Sequence, residues 1–436
     1  MTIMKCNDID VVNYITNLWN PNSLTLKYKN YIIKTIMVFI INIISYFYYL
    51  FVSKESIINN IQNNILNIKK TNIELYYNDH LEKKLFKIKT VTKRDIDFVY
   101  RYLNSSNYKK KNILCEPYNH TFIFPKYKSG DGTHPSHFRY LVQHHKYIKL
   151  LDKIWCHQVL INCNTNLPDK DIFKTNITNS CNNNIINLAI NNTKSIQDVV
   201  LLDITQAYDS LQWDILENLL LSNLTRKINI LCAHYLVNFY MTLIDNRIIF
   251  YKDHIITAHK GIPTGLPSSV IVFTLALEEI IFRWMKEYNF KQYYDFILNI
   301  YVDDIYLKII NYSKSNLIIN SLINKLKEYK LFINIKKSRA DINLNLDFDQ
   351  LTAKDLYLGI PFTREVHLYG QIILQNFYEK HKIKITWAEI YKILTTNINN
   401  NKRKKLEGFL NYKLKPLMLN SNISISKYIY KNYIIS

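Results

Sequence analysis

From Asn119 onward the chain alternates short apolar runs, turn residues and longer stretches of helical period, a texture that predicts an α+β fold. Phe122 to Lys126 (FIFPK) reads as a short strand entering a Ser-Gly-Asp-Gly turn at 129–132. Val199 to Ile204 (VVLLDI) is an apolar run that ends on a carboxylate and predicts a buried strand. Phe296 to Ile310 (FILNIYVDDIYLKII) predicts two strands joined by a tight turn at Asp303 and Asp304. Ser268 to Glu279 follows a loop containing Gly and Pro and predicts a helix capped by its first serine. The Asn runs at 182–184 and 399–401 predict loops.

The ends of the chain have a different texture. Residues 1–75 form an N-terminal extension with one uncharged stretch, 35–52 (TIMVFIINIISYFYYLFV), between Lys34 and Lys54. A membrane span wants about 20 apolar residues, and this stretch contains Asn42 and Ser45, so a buried core helix is favoured over an anchor. After Pro361 a basic helical pattern takes over, with Lys402-Arg403-Lys404-Lys405 and Tyr412-Lys413-Leu414-Lys415. Such runs suit either a solvated surface or one that tracks a nucleic-acid backbone.

Composition sharpens this only in part. Lys and Arg number 56 against 35 Asp and Glu, a formal charge of +21 that suits a polyanionic partner. The wealth of Ile, Asn, Lys and Tyr is also what an AT-rich genome imposes. In such a chain the seven glycines carry information, because a chain so poor in them keeps one mainly where a side chain cannot be accommodated. Gly130, Gly132, Gly261, Gly265 and Gly359 fall in segments with chemical content; Gly370 and Gly408 do not. The six cysteines form no CxxC pair, which predicts free thiols in a reduced intracellular setting and no zinc knuckle.

Adjacent aspartates between apolar strands repel each other and lose hydration unless a cation neutralises them. A divalent metal is the usual solution, and Mg²⁺ takes one or two protein carboxylates plus substrate phosphates. Asp303 and Asp304 therefore ask for a third carboxylate from a neighbouring strand, and Asp203 is the best candidate. The expected chemistry is an in-line displacement served by two Mg²⁺ ions, with Mn²⁺ as the alternative ion. A solvated turn and a helix cap are the bland alternatives.

Taken in order, these segments resemble the reverse transcriptase family from about Phe122 to Pro361. Asp203-Ile-Thr-Gln-Ala-Tyr208-Asp209 resembles its Asp-x-x-x-Ala-Phe/Tyr-Asp, and Tyr301-Val-Asp-Asp304 its Tyr/Phe-x-Asp-Asp box. Gly261-Ile-Pro-Thr-Gly265-Leu-Pro-Ser-Ser269 resembles the Gly-x-Pro-Gln-Gly-x-x-x-Ser loop. Asn334-Ile-Lys-Lys337-Ser338 resembles Asn-x-x-Lys-Thr/Ser, and Tyr357-Leu358-Gly359 the primer-gripping turn. Upstream, Phe124-Pro-Lys126, then Gly-Asp-Gly and Phe138-Arg139, resemble the fingers segment that ends Arg-Pro-Ile.

The resemblance implies a right-hand polymerase: fingers at 76–195, an antiparallel palm sheet packed on helices at 196–365 with a fingers insertion around 213–257, and a helical basic thumb at 366–436. It implies metal ligation by Asp203, Asp303 and Asp304, and protonation of the leaving pyrophosphate by Lys337. Lys126, Arg139, Tyr208, Gly261, Thr264 and Gly265 would bind nucleotide, with Tyr208 under the sugar where a 2′-hydroxyl would clash. Tyr301, Tyr357, Leu358 and Gly359 would meet primer and template. The implied partners are an RNA template, a DNA or RNA primer and dNTPs.

Two positions depart from the pattern: Thr264 replaces the family's glutamine, and Tyr140 replaces the proline after Arg139. An RNA-directed RNA polymerase is disfavoured by Tyr208. A weak or inactive maturase-like RNA-binding protein stays open through Thr264. The motifs are as similar to telomerase and Penelope-like enzymes as to non-LTR or group II intron enzymes. A telomerase would work in the nucleus, whereas the others leave nucleus, mitochondrion and cytoplasm open. Oligomeric state leaves no mark in the sequence.

Overall fold

The computed structural model describes residues 8–19, 119–128, 131, 133–163, 169–174, 182–245, 247–344, 346–381, 384–396, 401–414, 417–418 and 424–435. The apolar segment 35–52, most of the 1–75 extension, and Gly130 and Gly132 lie outside these residues. Among the described residues no helix is long and apolar enough to cross a membrane.

The fold is α+β, as the alternating texture predicts. In chain order the strands are β1 (His120–Tyr127), β2 (Phe138–His144), β3 (Val199–Asp203), β4 (Ile248–Tyr251), β5 (His254–Ile256), β6 (Phe296–Tyr301), β7 (Asp304–Ile309), β8 (Arg339–Ala340), β9 (Asp349–Gln350), β10 (Leu356–Tyr357) and β11 (Ile360–Pro361). The described residues divide between two compact units, one drawn from Met1–Pro168, Gln206–Arg283 and Glu328–Leu331, the other from Asp169–Thr205, Trp284–Lys327 and Phe332–Ser436.

The first unit contains a four-stranded sheet in the order β2-β1-β4-β5. β1 alternates, with Thr121 and Ile123 buried and Phe122 and Phe124 exposed, as the period of two in a one-sided sheet requires. Helix Asp8–Trp19 covers the inner face. Val11, Ile15 and Trp19, spaced four apart and so on one helical face, pack with Ile123, Ile249, Tyr251 and Ile256. Helix Ser268–Tyr288 extends well beyond the predicted Glu279. Its buried Glu278 and Glu279 are neutralised, Glu278 by Lys227 at 2.7 Å and Glu279 by Arg226 and Arg283. Removing one partner of such a pair would strand a buried charge.

The second unit is built on a five-stranded sheet ordered β6-β7-β3-β8-β9, antiparallel except for β8 with β9. Val199, Val200, Leu202, Phe296, Leu298, Ile300, Leu307 and Ile309 are buried, which explains why these strands read as continuous apolar runs. Residues 182–184 are a correction: they begin helix Asn182–Asn192 instead of forming a loop. Ile186, Ala189 and Ile190 are buried there, so packing overrides the poor helix propensity of asparagine. Toward the C-terminus, helices Val366–His381, Trp387–Thr395, Asn401–Leu414 and Ile425–Ile429 gather their own core, including Tyr369, Ile373, Ile390, Leu410 and Ile429.

Candidate active site

The carboxylates of the second unit are brought together by strand register. β3 runs antiparallel to β7 with Asp203 opposite Asp304, and β6 pairs with β7 so that Tyr301 also faces Asp304. Directly opposed residues of such a pair have Cβ atoms about 5 Å apart. The β6–β7 turn is Val302-Asp303, and Val302 adopts a left-handed φ of 59°. For a β-branched residue that conformation is strained, and it holds Asp303 at the tip of a tight loop.

The charges here oppose one another. Asp304 is exposed at its surface yet crowded by its neighbours. Desolvation, then repulsion from Asp303 and Asp203, raises its carboxyl to about 6, while Lys337 pulls the other way. Tyr301 is raised too, by burial and then by Asp304. Lys337 Nζ lies 3.5 Å from Asp203 Oδ2 and supplies part of the missing positive charge.

The segment carrying Lys337 is bonded to the backbone on both sides of Asp203. Asn334 N–H donates to Asp203 O at 2.8 Å, and Asp203 N–H donates to Ser338 Oγ at 3.1 Å. Ser338 is fully buried, and the N–H groups of Lys337 and Ser338 close back onto Asn334 O. In the motif Ser338 is only the last letter; in the fold its hydroxyl accepts the Asp203 backbone N–H.

Tyr357 and Ile360 pair across a two-residue loop, Leu358-Gly359, with φ of 49° and 77°. Two successive left-handed residues make the kind of turn that matches strand twist, and glycine suits its second position. Lys413 Nζ donates to Gly359 O, tying helix Asn401–Leu414 to this turn. The Tyr357 ring is buried against Tyr306, 5.4 Å between centroids, so its side chain faces the core and only the backbone of the turn is left to serve the expected contact with primer and template.

The nucleotide-binding candidates lie in the first unit. Lys126 and Arg139 are directly opposed across β1 and β2, and both are exposed. Like charges in that register destabilise a sheet unless an anion sits between them. Tyr208 lies on the short helix Ala207–Ser210, its ring 5.1 Å from that of Phe273. Gly261 and Gly265 have φ of 88° and 87°, and a Cβ on Gly265 would lie 2.7 Å from Val142 O. No other residue fits there without moving β2.

Thr264, the departure in this loop, is held through its backbone. His144 Nε2 lies 3.1 Å from Thr264 O and its Nδ1 3.2 Å from Thr121 Oγ1. A carbonyl only accepts, so Nε2 carries the proton and Nδ1 accepts from the threonine. Burial, reinforced by Arg247, lowers His144 to about 3 and keeps the ring neutral. After the loop, the expected serine cap is replaced by a distant group: the Ser268 N–H and hydroxyl both donate to Asp152 of helix Lys146–Cys163. Burial lifts Asp152 to about 7, against the pull of Ser268. Neither His144 nor Asp152 stands in a motif, and only the fold reveals them.

The residues of the second unit offer hard oxygen donors, the right chemistry for Mg²⁺. Among the described residues, however, no group of three or more His, Cys, Asp or Glu is gathered so as to hold a metal ion, so the three aspartates are not assembled as a ready ligand set. An open set of carboxylates that leaves positions for substrate phosphates fits this ion better than a closed cage.

Residues 125–373 match the family described as reverse transcriptase (RNA-dependent DNA polymerase). The chain belongs to that family, whose members are nucleotidyltransferases that copy RNA templates from nucleotides and generally use divalent metal ions. No curated protein matches the chain.

Proposed function

We propose that this chain extends a primer 3′-hydroxyl with dNTPs on an RNA template, with Asp203, Asp303 and Asp304 as ligands of two Mg²⁺ ions. The observation that carries the reading is the register of β3 on β7, which sets Asp203 opposite Asp304 beside the strained Val302-Asp303 turn. Ions held there would activate the primer hydroxyl and neutralise charge on the triphosphate. Lys337, whose nearness to Asp203 at 3.5 Å supports a role beside the metals, protonates the leaving pyrophosphate in this reading. The opposed cations Lys126 and Arg139 clamp the triphosphate, Arg139 through its planar fork. Gly261, Thr264 and Gly265 let backbone approach the nucleotide, Tyr208 excludes a ribose 2′-hydroxyl, and Tyr301 with the Tyr357-Leu358-Gly359 turn meets the primer end. In this reading 76–195 are fingers, 196–365 palm and 366–436 thumb; the separate core of the C-terminal helices supports the last of these.

Primer extension on an RNA template tests the proposal. Incorporation of dNTPs that requires Mg²⁺ and is abolished by Asp303→Asn, with duplex binding retained, is the expected result. Incorporation of rNTPs alone would indicate an RNA polymerase, and tight RNA binding without extension a maturase-like protein. Extension that survives Asp303→Asn would sink the carboxylate assignment.

A further inference from the structure

Helix Asp8–Trp19 lays its apolar face on the sheet, but its polar contacts go to the segments around Tyr208. Trp19 Nε1 donates to Asp209 Oδ1 at 3.0 Å. Trp19 O accepts the N–H groups of His259 at 2.7 Å and Lys260 at 3.1 Å. Gln206 Nε2 donates to Tyr14 Oη at 3.2 Å. The two segments held in this way also bind each other, Ile262 N–H to Tyr208 O at 2.6 Å and Gly261 N–H to Leu211 O at 2.7 Å. The junction is close-packed: a Cβ on Gly261 would meet Asp209 Cα at 3.4 Å and Trp19 Cδ1 at 3.5 Å.

The turn carrying Tyr208 needs such support. Gln206 enters it at a left-handed φ of 48°, a conformation that costs a non-glycine residue energy and persists only when its surroundings impose it. Helix Ala207–Ser210 has four residues and no side-chain cap. Asp209 is drawn out of water, which raises its carboxyl, while the Trp19 bond and then Lys260 oppose that rise. Indole N–H is a donor only, and the carboxylate is its acceptor here.

We infer that Trp19 is a positioning residue for nucleotide selection: through Asp209 it fixes the turn bearing Tyr208, so that the N-terminal helix sets dNTP affinity and sugar discrimination. This rests on the reading of Tyr208 as the sugar-facing ring. Trp19→Phe keeps most of the packing and removes the N–H. Losing the tie lets the ring drift, and misplacement of this kind costs on the order of 10- to 100-fold.

The experiment is single-nucleotide incorporation by the full chain, with dNTP and rNTP titrated separately. Trp19→Phe raises KM for dNTP at least about 10-fold, lowers discrimination against rNTP, and changes kcat by less than about 3-fold. Asp209→Leu reproduces this, Asp209→Asn keeps an acceptor oxygen and stays near the parent, and Trp19→Phe with Asp209→Leu is no worse than either alone. Unchanged KM and discrimination in Trp19→Phe and Asp209→Leu, or a loss confined to kcat, overturns the inference. Should Trp19→Phe fail to melt cooperatively, the Leu and Asn variants of Asp209 decide by the same criteria. Tyr208→Ala separates the two readings. If it leaves discrimination intact, the role of Tyr208 falls and this inference with it; if it relaxes discrimination and Trp19→Phe does not, the inference alone fails.

Discussion

A carboxylate proposed to accept a metal on one side has to be fixed from the others, and the backbone of Asp203 is held by ordinary parts. Its N–H goes to the buried Ser338 hydroxyl and its C=O receives Asn334 N–H, so the residue is gripped through its backbone while its carboxylate faces Lys337, 3.5 Å away. Ser338→Ala leaves the Asp203 N–H without its acceptor, at a cost of about 1–3 kcal/mol. Urea unfolding should show that loss, and single-turnover extension should slow by at least about 10-fold as Asp203 loses its placement, with primer–template affinity unchanged. Stability and rate both within error of the parent would remove Ser338 from this role. The motif letters Asn334, Lys337 and Ser338 were legible in the sequence because their spacing is distinctive. That Ser338 acts on Asp203 was not, because the bond joins residues 135 apart in the chain.

At the scale of elements, the β6–β7 hairpin stores strain where chemistry is proposed. Val302 sits at φ 59° in a two-residue turn for which glycine would be the relaxed choice. Val302→Gly should therefore stabilise the fold by about 1 kcal/mol in urea unfolding. The same change loosens Asp303, so kcat for dNTP incorporation should fall although the protein is more stable. A variant that is less stable, or as active as the parent, would show that the turn is not held under strain for function. The hairpin and β3 were readable because a buried strand writes itself as an apolar run. Helix Asn182–Asn192 was not, since only packing of Ile186, Ala189 and Ile190 rescues its sequence. The placement of helix Asp8–Trp19 was hidden for another reason: its amphipathic face is plain, but Trp19 meets Asp209 across 190 residues of chain.

For the whole molecule the open question is what a charge of +21 means. A genome that favours Lys, Asn and Ile codons would scatter cations without regard to a partner, and scattered cations release few counterions when nucleic acid binds. A surface shaped to follow a primer–template duplex would neutralise several phosphates at once. The two accounts differ in salt dependence, since log K falls by about 0.9 per phosphate contact for each tenfold rise in salt. With six or more contacts, affinity for an RNA–DNA duplex drops about 1,000-fold between 50 and 200 mM salt. Fluorescence anisotropy across that range gives the slope directly. A drop smaller than about 10-fold corresponds to roughly two contacts and would assign the charge to composition. The opposed pair Lys126 and Arg139 offers an internal control, because residues that grip a triphosphate alter KM for dNTP and leave the duplex slope unchanged. If Arg139→Ala instead flattened that slope, the pair would belong to the duplex track, and the nucleotide pocket would have to be sought around Thr264 and Tyr208 alone.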